Sequence, residues 1–111
     1  MNNIYVCKVS DYQASGNQID IPKRAAIDFF NIPKESLENG KNVSINICHY
    51  SNLKKFELIE IQPATNVRWS TRLHTFLSDN YDPITEGCLL LFEKLGRSFC
   101  VRTIKKKRAQ I

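Results

Sequence analysis

Apolar and polar residues alternate along much of this chain with the two-residue period of a β-strand. Residues 43–48 show the cleanest alternation, which indicates a strand with one buried face. A tight turn at residues 50–52 and an apolar run at 53–62 predict a second strand that folds back beside the first. Within that run the apolar phase shifts between Leu58 and Ile59, and this slip predicts a bulge or strong twist.

The other predicted strands differ in how many of their faces are apolar. Residues 4–9 and 88–95 are apolar on both faces, which is typical of strands covered on both sides. Residues 98–104 alternate, and they follow a hairpin turn predicted at Gly96. A short alternating run at 18–21 ends at a proline, so it predicts one more, very short strand.

Two segments show helical spacing instead. The first, residues 22–30, has a proline in its first turn and stops before a second proline. Its apolar stripe comprises Ala26, Phe29 and Phe30. The second follows a polar link at residues 64–67, and Ser70 or Thr71 is placed to cap it. Its packing face comprises Leu73, Phe76 and Leu77.

These elements predict a mainly β fold. About six short strands and two short helices suit a small, partly open β-barrel with helices at its ends. With 111 residues the chain is long enough for one hydrophobic core, so we expect a single domain over residues 1–104. Residues 105–111 then form a basic C-terminal tail.

The net charge of +5 is concentrated in that tail. Lys105, Lys106, Lys107 and Arg108 carry four of the positive charges, so the rest of the chain is close to neutral. With 42% hydrophobic and 24% charged residues, the composition is that of an ordinary globular domain. Charge alone therefore does not identify a nucleic-acid partner.

Targeting and cysteine patterns narrow the class of protein further. No apolar run approaches the about 20 residues that span a bilayer, and no secretory signal begins the chain, so a cytoplasmic location is expected. The cysteines are Cys7, Cys48, Cys88 and Cys100. Their wide spacing and apolar surroundings favour buried free thiols, with a disulfide or a metal site as the less favoured alternatives.

We find no constellation of residues that predicts catalysis. His49 ends a strand and His74 lies on a short helix, so packing or surface roles are favoured over a catalytic triad. The glycines are scattered rather than clustered in a phosphate loop, and Glu57 and Glu60 lack an acidic partner for a cation. The sequence therefore predicts a non-enzymatic chain with no cofactor and no metal.

Two polar segments are the strongest candidates for binding. Residues 8–18 offer amide, hydroxyl, phenol and ammonium groups, which suit phosphates and base edges, although such residues also form ordinary turns. Residues 66–72 add two arginines with no acidic neighbour in the sequence. Trp69, in that second segment, is favoured as a packing anchor because of the area its ring buries. Lys23 and Arg24 oppose the dipole at a helix start, which weakly favours a phosphate partner.

In order and character, these elements resemble the B3-like DNA-binding domain. That family includes plant transcription-factor B3 domains and the DNA-recognition domains of some bacterial restriction endonucleases. The resemblance covers residues 3–104 and is carried by "QIDIPKRAA", "RWSTRLHTFL" and "EGCLLLFEKL". Plant members usually have "GW" and "GD" where this chain has "RW" and "EGC", so the bacterial branch is the more similar one.

The resemblance implies a seven-stranded open pseudobarrel with two short helices, which grips the major groove of double-stranded DNA with two arms. The implied N-arm residues are Lys8, Ser10, Asp11, Tyr12, Gln13, Ser15, Asn17 and Gln18. The implied C-arm residues are Asn66, Arg68, Trp69, Ser70, Thr71 and Arg72. Lys23 and Arg24 fall where contacts to the DNA backbone are expected. The implied partners are double-stranded DNA and a nuclease domain or subunit, and the isolated domain is expected to be monomeric.

Two other interpretations stay open. In an AbrB-like regulator, "IDIPKRAAIDFFNI" would belong to a hairpin swapped between the two copies of a DNA-binding dimer. In a protein-interaction or effector-sensing barrel, both polar segments would be loops without a nucleic-acid role. A nuclease is a remote third alternative.

Overall fold

The computed structural model describes residues 3–10, 19–63 and 67–105. Within these ranges the chain forms six strands and three helices around one sheet, which curls into an open half-barrel. The elements are β1 (Ile4–Lys8), α1 (Lys23–Asp28), α2 (Lys34–Glu38), β2 (Val43–His49), β3 (Asn52–Pro63), β4 (Val67–Trp69), α3 (Arg72–Asn80), β5 (Leu89–Leu95) and β6 (Ser98–Ile104). The predicted mainly β, barrel-like fold is thus confirmed.

The sheet consists of two antiparallel halves joined along one short seam. Its strand order is β1-β5-β6-β2-β3-β4, and every neighbouring pair is antiparallel except β2 and β6. These two strands run parallel over only three residue pairs, 47–49 against 99–101. The halves β1-β5-β6 and β2-β3-β4 therefore share little backbone pairing, and the core must hold them together.

Residues 19–21 extend the sheet past β4. Asp20 forms an isolated bridge with Arg68. The amide of Ile21 donates to the carbonyl of Val67 at 2.7 Å, and the amide of Trp69 donates to the carbonyl of Ile19 at 2.9 Å. The strand predicted at residues 18–21 is therefore present as a bridge rather than a full strand, and Gln18 lies outside the described residues.

One hydrophobic cluster fills the concave side of the sheet. Phe30, which follows α1, makes edge-on ring contacts with Trp69 of β4 and Phe92 of β5, at centroid distances of 5.1 and 5.4 Å. The stripes predicted for the two helices are buried as expected. These residues are Ala26, Phe29, Phe30, Leu73, Phe76 and Leu77. Helix packing thus follows the pattern in the sequence.

Two counts in the implied pseudobarrel are wrong. The described residues form six strands rather than seven, and three helices rather than two. The additional helix is α2, which begins after Pro33 and lasts only five residues. Leu37 is its one large apolar side chain, so the segment has no apolar stripe that a periodicity analysis could detect.

The bulge that the phase shift predicted at Leu58 and Ile59, as the alternative to a strong twist, is absent there. Leu58 pairs with Asn46 and Ile59 with Ile45 without interruption. The register shifts nearer the turn, where Cys48 pairs with Phe56 but His49 pairs with Asn52, which leaves residues 53–55 of β3 as the extra ones. Leu58 is 61% exposed whereas Ile59 is fully buried, so the strand alternates regularly. The apparent shift of phase arises because β3 carries apolar side chains on its outer face as well as its inner face.

The link predicted at residues 64–67 is shorter than expected. Val67 already belongs to β4, where it pairs with Pro63. Thr71 occupies the N-cap of α3, as predicted for one of two candidates, but its side chain makes no capping hydrogen bond. None of the helices in the described ranges is long and apolar enough to cross a membrane.

Candidate nucleic-acid interface

The bridge between Asp20 and Arg68 holds the segment that follows the predicted N-arm beside the predicted C-arm. Residues 19–21 come directly after the N-arm, which ends at Gln18, while β4 forms part of the C-arm, and two backbone hydrogen bonds join them. Because β4 is also held by β3 on its other side, this junction is part of the sheet. Rigid attachment is what a recognition surface needs.

Several cations of the two arms lie on the surface. Lys8 at the end of β1, Lys23 at the start of α1 and Arg72 at the start of α3 are all exposed. Arg24 is exposed as well, and its Nε lies 3.6 Å from Oδ2 of Asp28 one helical turn later. An exposed pair of this kind contributes little and exchanges readily for another anion.

Arg68 differs from the other cations because it is half-buried. Its backbone is fixed by pairing with Gln62 on one side and Asp20 on the other. Its Nε is buried and has no hydrogen-bond partner among the described residues. A guanidinium held in this way is oriented by the sheet, and it keeps donors for a further acceptor.

Trp69 and Ser70 are buried rather than displayed. Trp69 is 1% exposed, stacks on Phe92 at a centroid distance of 5.4 Å and lies 5.1 Å edge-on from Phe30. Ser70 is 8% exposed, and its amide donates to the carbonyl of Glu60 at 2.9 Å. The packing role favoured for Trp69 is confirmed, and neither side chain is available at the surface in this conformation.

The remaining arm residues divide into two groups. Ser10, at the end of the first described range, and Thr71, at the N-cap of α3, are both exposed. The others lie outside the described residues, so the structure does not place their side chains: Asp11, Tyr12, Gln13, Ser15, Asn17, Gln18 and Asn66. This second group holds half of the fourteen predicted arm residues, and all but one of its members belong to the N-arm.

His49 belongs to a buried polar cluster that the sequence does not reveal. Its Nδ1 accepts a hydrogen bond from the amide of Ser51 at 3.1 Å and lies 2.7 Å from that residue's Oγ, while its ring stacks on Tyr81 at 3.9 Å. Burial lowers the pKa of His49, and the nearby carboxylate of Asp82 partly opposes that shift. The packing role predicted for His49 is confirmed, since the ring fixes the turn between β2 and β3 against the end of α3.

An open groove of about 670 Å³ lies between β1 and α1. It is lined by Ile4, Tyr5, Pro22, Arg24, Ala25, Asp28 and Phe29. Burial, together with the adjacent Cys7, raises the pKa of Tyr5 to about 12, so the phenol is neutral throughout the physiological range. The groove joins residues that are about twenty positions apart in the sequence, and no local pattern predicts it.

The cysteines and possible metal ligands add no further candidate site in the part of the chain that the structure describes. The four cysteines are free thiols, with Cys48, Cys88 and Cys100 buried and Cys7 partly buried. In the ranges given above, no three ligand side chains are grouped to hold a metal ion. Comparison with protein-family models, with curated proteins and with solved structures found no match.

Proposed function

We propose that this chain is a B3-like domain that binds a short sequence of double-stranded DNA through its two arms. The observation that supports the proposal is the pairing of residues 19–21 with β4, because it fixes the segment that follows the N-arm against a strand of the C-arm. The chain itself carries no catalysis in this proposal. It acts as the recognition domain of a bacterial restriction endonuclease, in which another domain or subunit cuts the DNA.

The cations proposed to contact DNA fall into two groups. Lys8, Lys23 and Arg24 are single or loosely paired surface charges, which suit phosphate oxygens and set the register of the protein on the duplex. Arg68 and Arg72 carry planar, forked donors that suit guanine or phosphate. The buried Trp69 and Ser70 hold β4 in place beneath them.

DNA binding is tested first without any assumed site. Duplexes selected from a random pool identify the recognised sequence, and fluorescence anisotropy then measures affinity against salt concentration. We expect affinity to fall steeply with salt, because each neutralised phosphate releases counterions. Absence of binding even to random duplexes at low salt would favour the effector-sensing or protein-interaction barrel instead.

Arg72→Ala is the sharpest test of the C-arm. Arg72 is exposed, so its removal leaves the core intact, and the loss of a two-pronged base contact should weaken binding by roughly 1–3 kcal/mol. The matched control is Lys54→Ala, which also removes one exposed positive charge. Lys54 lies seven residues along β3 from Ile61, which pairs with Trp69. It is therefore about 20 Å along the strand from that pair. Equal binding by both variants and the wild type would remove the C-arm from the interface.

The AbrB-like alternative predicts a different packing partner for the segment after residue 19. In the structure, Ile19, Ile21, Ala26, Phe29 and Phe30 all pack into the core of their own chain. A hairpin swapped between two copies would place these side chains in the core of the partner instead. Light scattering of the protein–DNA complex separates the two, since the swapped-hairpin regulator requires two chains on each duplex.

A further inference from the structure

The two edges of the sheet are treated differently by the fold. The edge of β4 is extended by residues 19–21, which pair with it through two backbone hydrogen bonds. On the opposite side, β1 is the outermost strand and pairs only with β5 in the described part of the chain. Among the described residues, one edge is thus covered and the other is open.

The hydrogen bonds at the two ends of β1 show which backbone groups face the open edge. The amide of Lys94 donates to the carbonyl of Asn3, and the amide of Val9 donates to the carbonyl of Cys88, each at 2.9 Å. In an antiparallel pair, every second residue bonds to the neighbouring strand. The odd-numbered residues of β1 therefore bond to β5, and the amides and carbonyls of the even-numbered residues point away from it. These outward residues are Ile4, Val6 and Lys8.

Along most of its length the open edge lacks the usual protection against pairing with another strand, and Lys8 at its end carries its one charge. Residues 4–7 contain no charge and no proline, and the register with β5 is uninterrupted. The side chains of Ile4 and Val6 are 49% and 46% exposed. Unpaired backbone groups flanked by exposed apolar side chains form a template for an added strand.

We propose that β1 pairs with β1 of a second copy of this chain, in antiparallel orientation about a two-fold axis at Val6. In this arrangement Val6 faces the partner's Val6, and Ile4 faces the partner's Lys8. The three outward residues of each copy then exchange about six backbone hydrogen bonds, as antiparallel pairs do. The strand is self-complementary because no lysine faces another lysine, and a two-fold interface requires such self-complementarity.

The groove between β1 and α1 lies beside the proposed contact rather than within it. Tyr5 and Cys7 pack against the hydrophobic cluster of their own copy, so the same two side chains of a second copy do not fill the groove. The contact therefore consists of the paired strand edges and the exposed side chains of Ile4 and Val6.

The size of this contact sets its strength. A five-residue strand pair falls below the roughly 1,000 Å² that stable interfaces bury. We therefore expect a reversible dimer that forms at high protein concentration. Single copies predominate at the low concentrations used for DNA titrations, so this inference and the DNA-binding proposal fail independently.

Sedimentation equilibrium over a hundredfold range of protein concentration tests the inference, with Val6→Pro as the decisive variant. Because the Val6 amide points away from β5, proline at this position removes a donor from the open edge and no bond inside the monomer. The matched control, Val6→Thr, keeps both the amide and a branched side chain. We expect wild type and Val6→Thr to dimerise and Val6→Pro to remain monomeric.

Amide hydrogen exchange on the wild-type protein gives a second measurement that does not depend on how the variant folds. At low concentration the amides of Ile4, Val6 and Lys8 should exchange quickly, and those of Tyr5 and Cys7 slowly. At high concentration the first three should become protected. A monomer at every concentration, a dimer that persists in Val6→Pro, or protection confined to other residues would overturn the inference.

Discussion

Trp69 shows how one residue of a proposed binding segment can belong entirely to the core. It stacks on Phe92 and meets Phe30 edge-on, and it is 1% exposed. Trp69→Ala should lower the free energy of unfolding by about 3–5 kcal/mol, as expected for the loss of a buried aromatic ring. Urea denaturation measures this change.

The control for Trp69 is Phe56→Ala on the outer face of β3, where the ring is 39% exposed. A ring that is 39% exposed has lost less water on folding than a fully buried one, so we expect a smaller cost of about 1–2 kcal/mol. A similar cost for the two substitutions would contradict the assignment of Trp69 to the centre of the core.

His49 links one buried ring to the pH dependence of stability. Its pKa is lowered from 6.5 in the folded protein, chiefly by burial, whereas the unfolded chain keeps the ordinary value. As pH falls below about 6.5 the unfolded chain takes up a proton that the folded protein does not, so stability decreases until the lower folded pKa is reached.

Comparison of His49→Asn with the wild type isolates this effect. Melting temperatures measured between pH 8 and pH 5 should fall less steeply in the variant, because its amide does not titrate. An unchanged slope would show that the titration of His49 does not contribute, and that other groups set the acid sensitivity.

At the scale of elements, the hairpin between β5 and β6 depends on one backbone conformation. Gly96 has a φ of 61°, a region that disfavours residues with a Cβ, although no atom lies within 4 Å of where that Cβ would be. Gly96→Ala should therefore cost about 1–2 kcal/mol through backbone strain alone. Thermal denaturation tests this, with Arg97→Ala in the same turn as a control that should change stability by less than about 0.5 kcal/mol.

Most elements could be predicted from the sequence because their apolar period is local. β1, β2, β3, β5, β6 and the two stripe-bearing helices follow from it. β4 could not be predicted, since a three-residue strand has too few positions to show a period, and its pairing depends on Pro63 and Asp20 from other segments. The helix α2 was missed for a similar reason, because only Leu37 marks its packing side.

The candidate site was harder to predict than the fold. Sequence composition identified the two polar segments, yet burial separates Trp69 and Ser70 from Thr71 and Arg72 within a run of four consecutive residues. That separation is set by the tertiary position of β4, which a local pattern does not encode. The same limit applies to the open edge of β1 and its groove, since both depend on which strand ends up outermost.

At the scale of the whole molecule, the core rather than the backbone unites the two halves of the sheet. The halves share only three residue pairs between β2 and β6, whereas Trp69 of one half stacks on Phe92 of the other. We expect unfolding to be cooperative for this reason. Fluorescence of the single tryptophan and far-ultraviolet circular dichroism should report coincident transitions in urea. Two separate transitions would show that the halves unfold independently.

The connection from Ser10 to Ile19 begins beside one outer strand and ends beside the other. Both ends of this connection are fixed by backbone hydrogen bonds, Val9 to Cys88 at one edge of the sheet and Ile19 to Trp69 at the other. A library at residues 11–18 can therefore be built between two fixed points, with Val9 and Ile19 left unchanged.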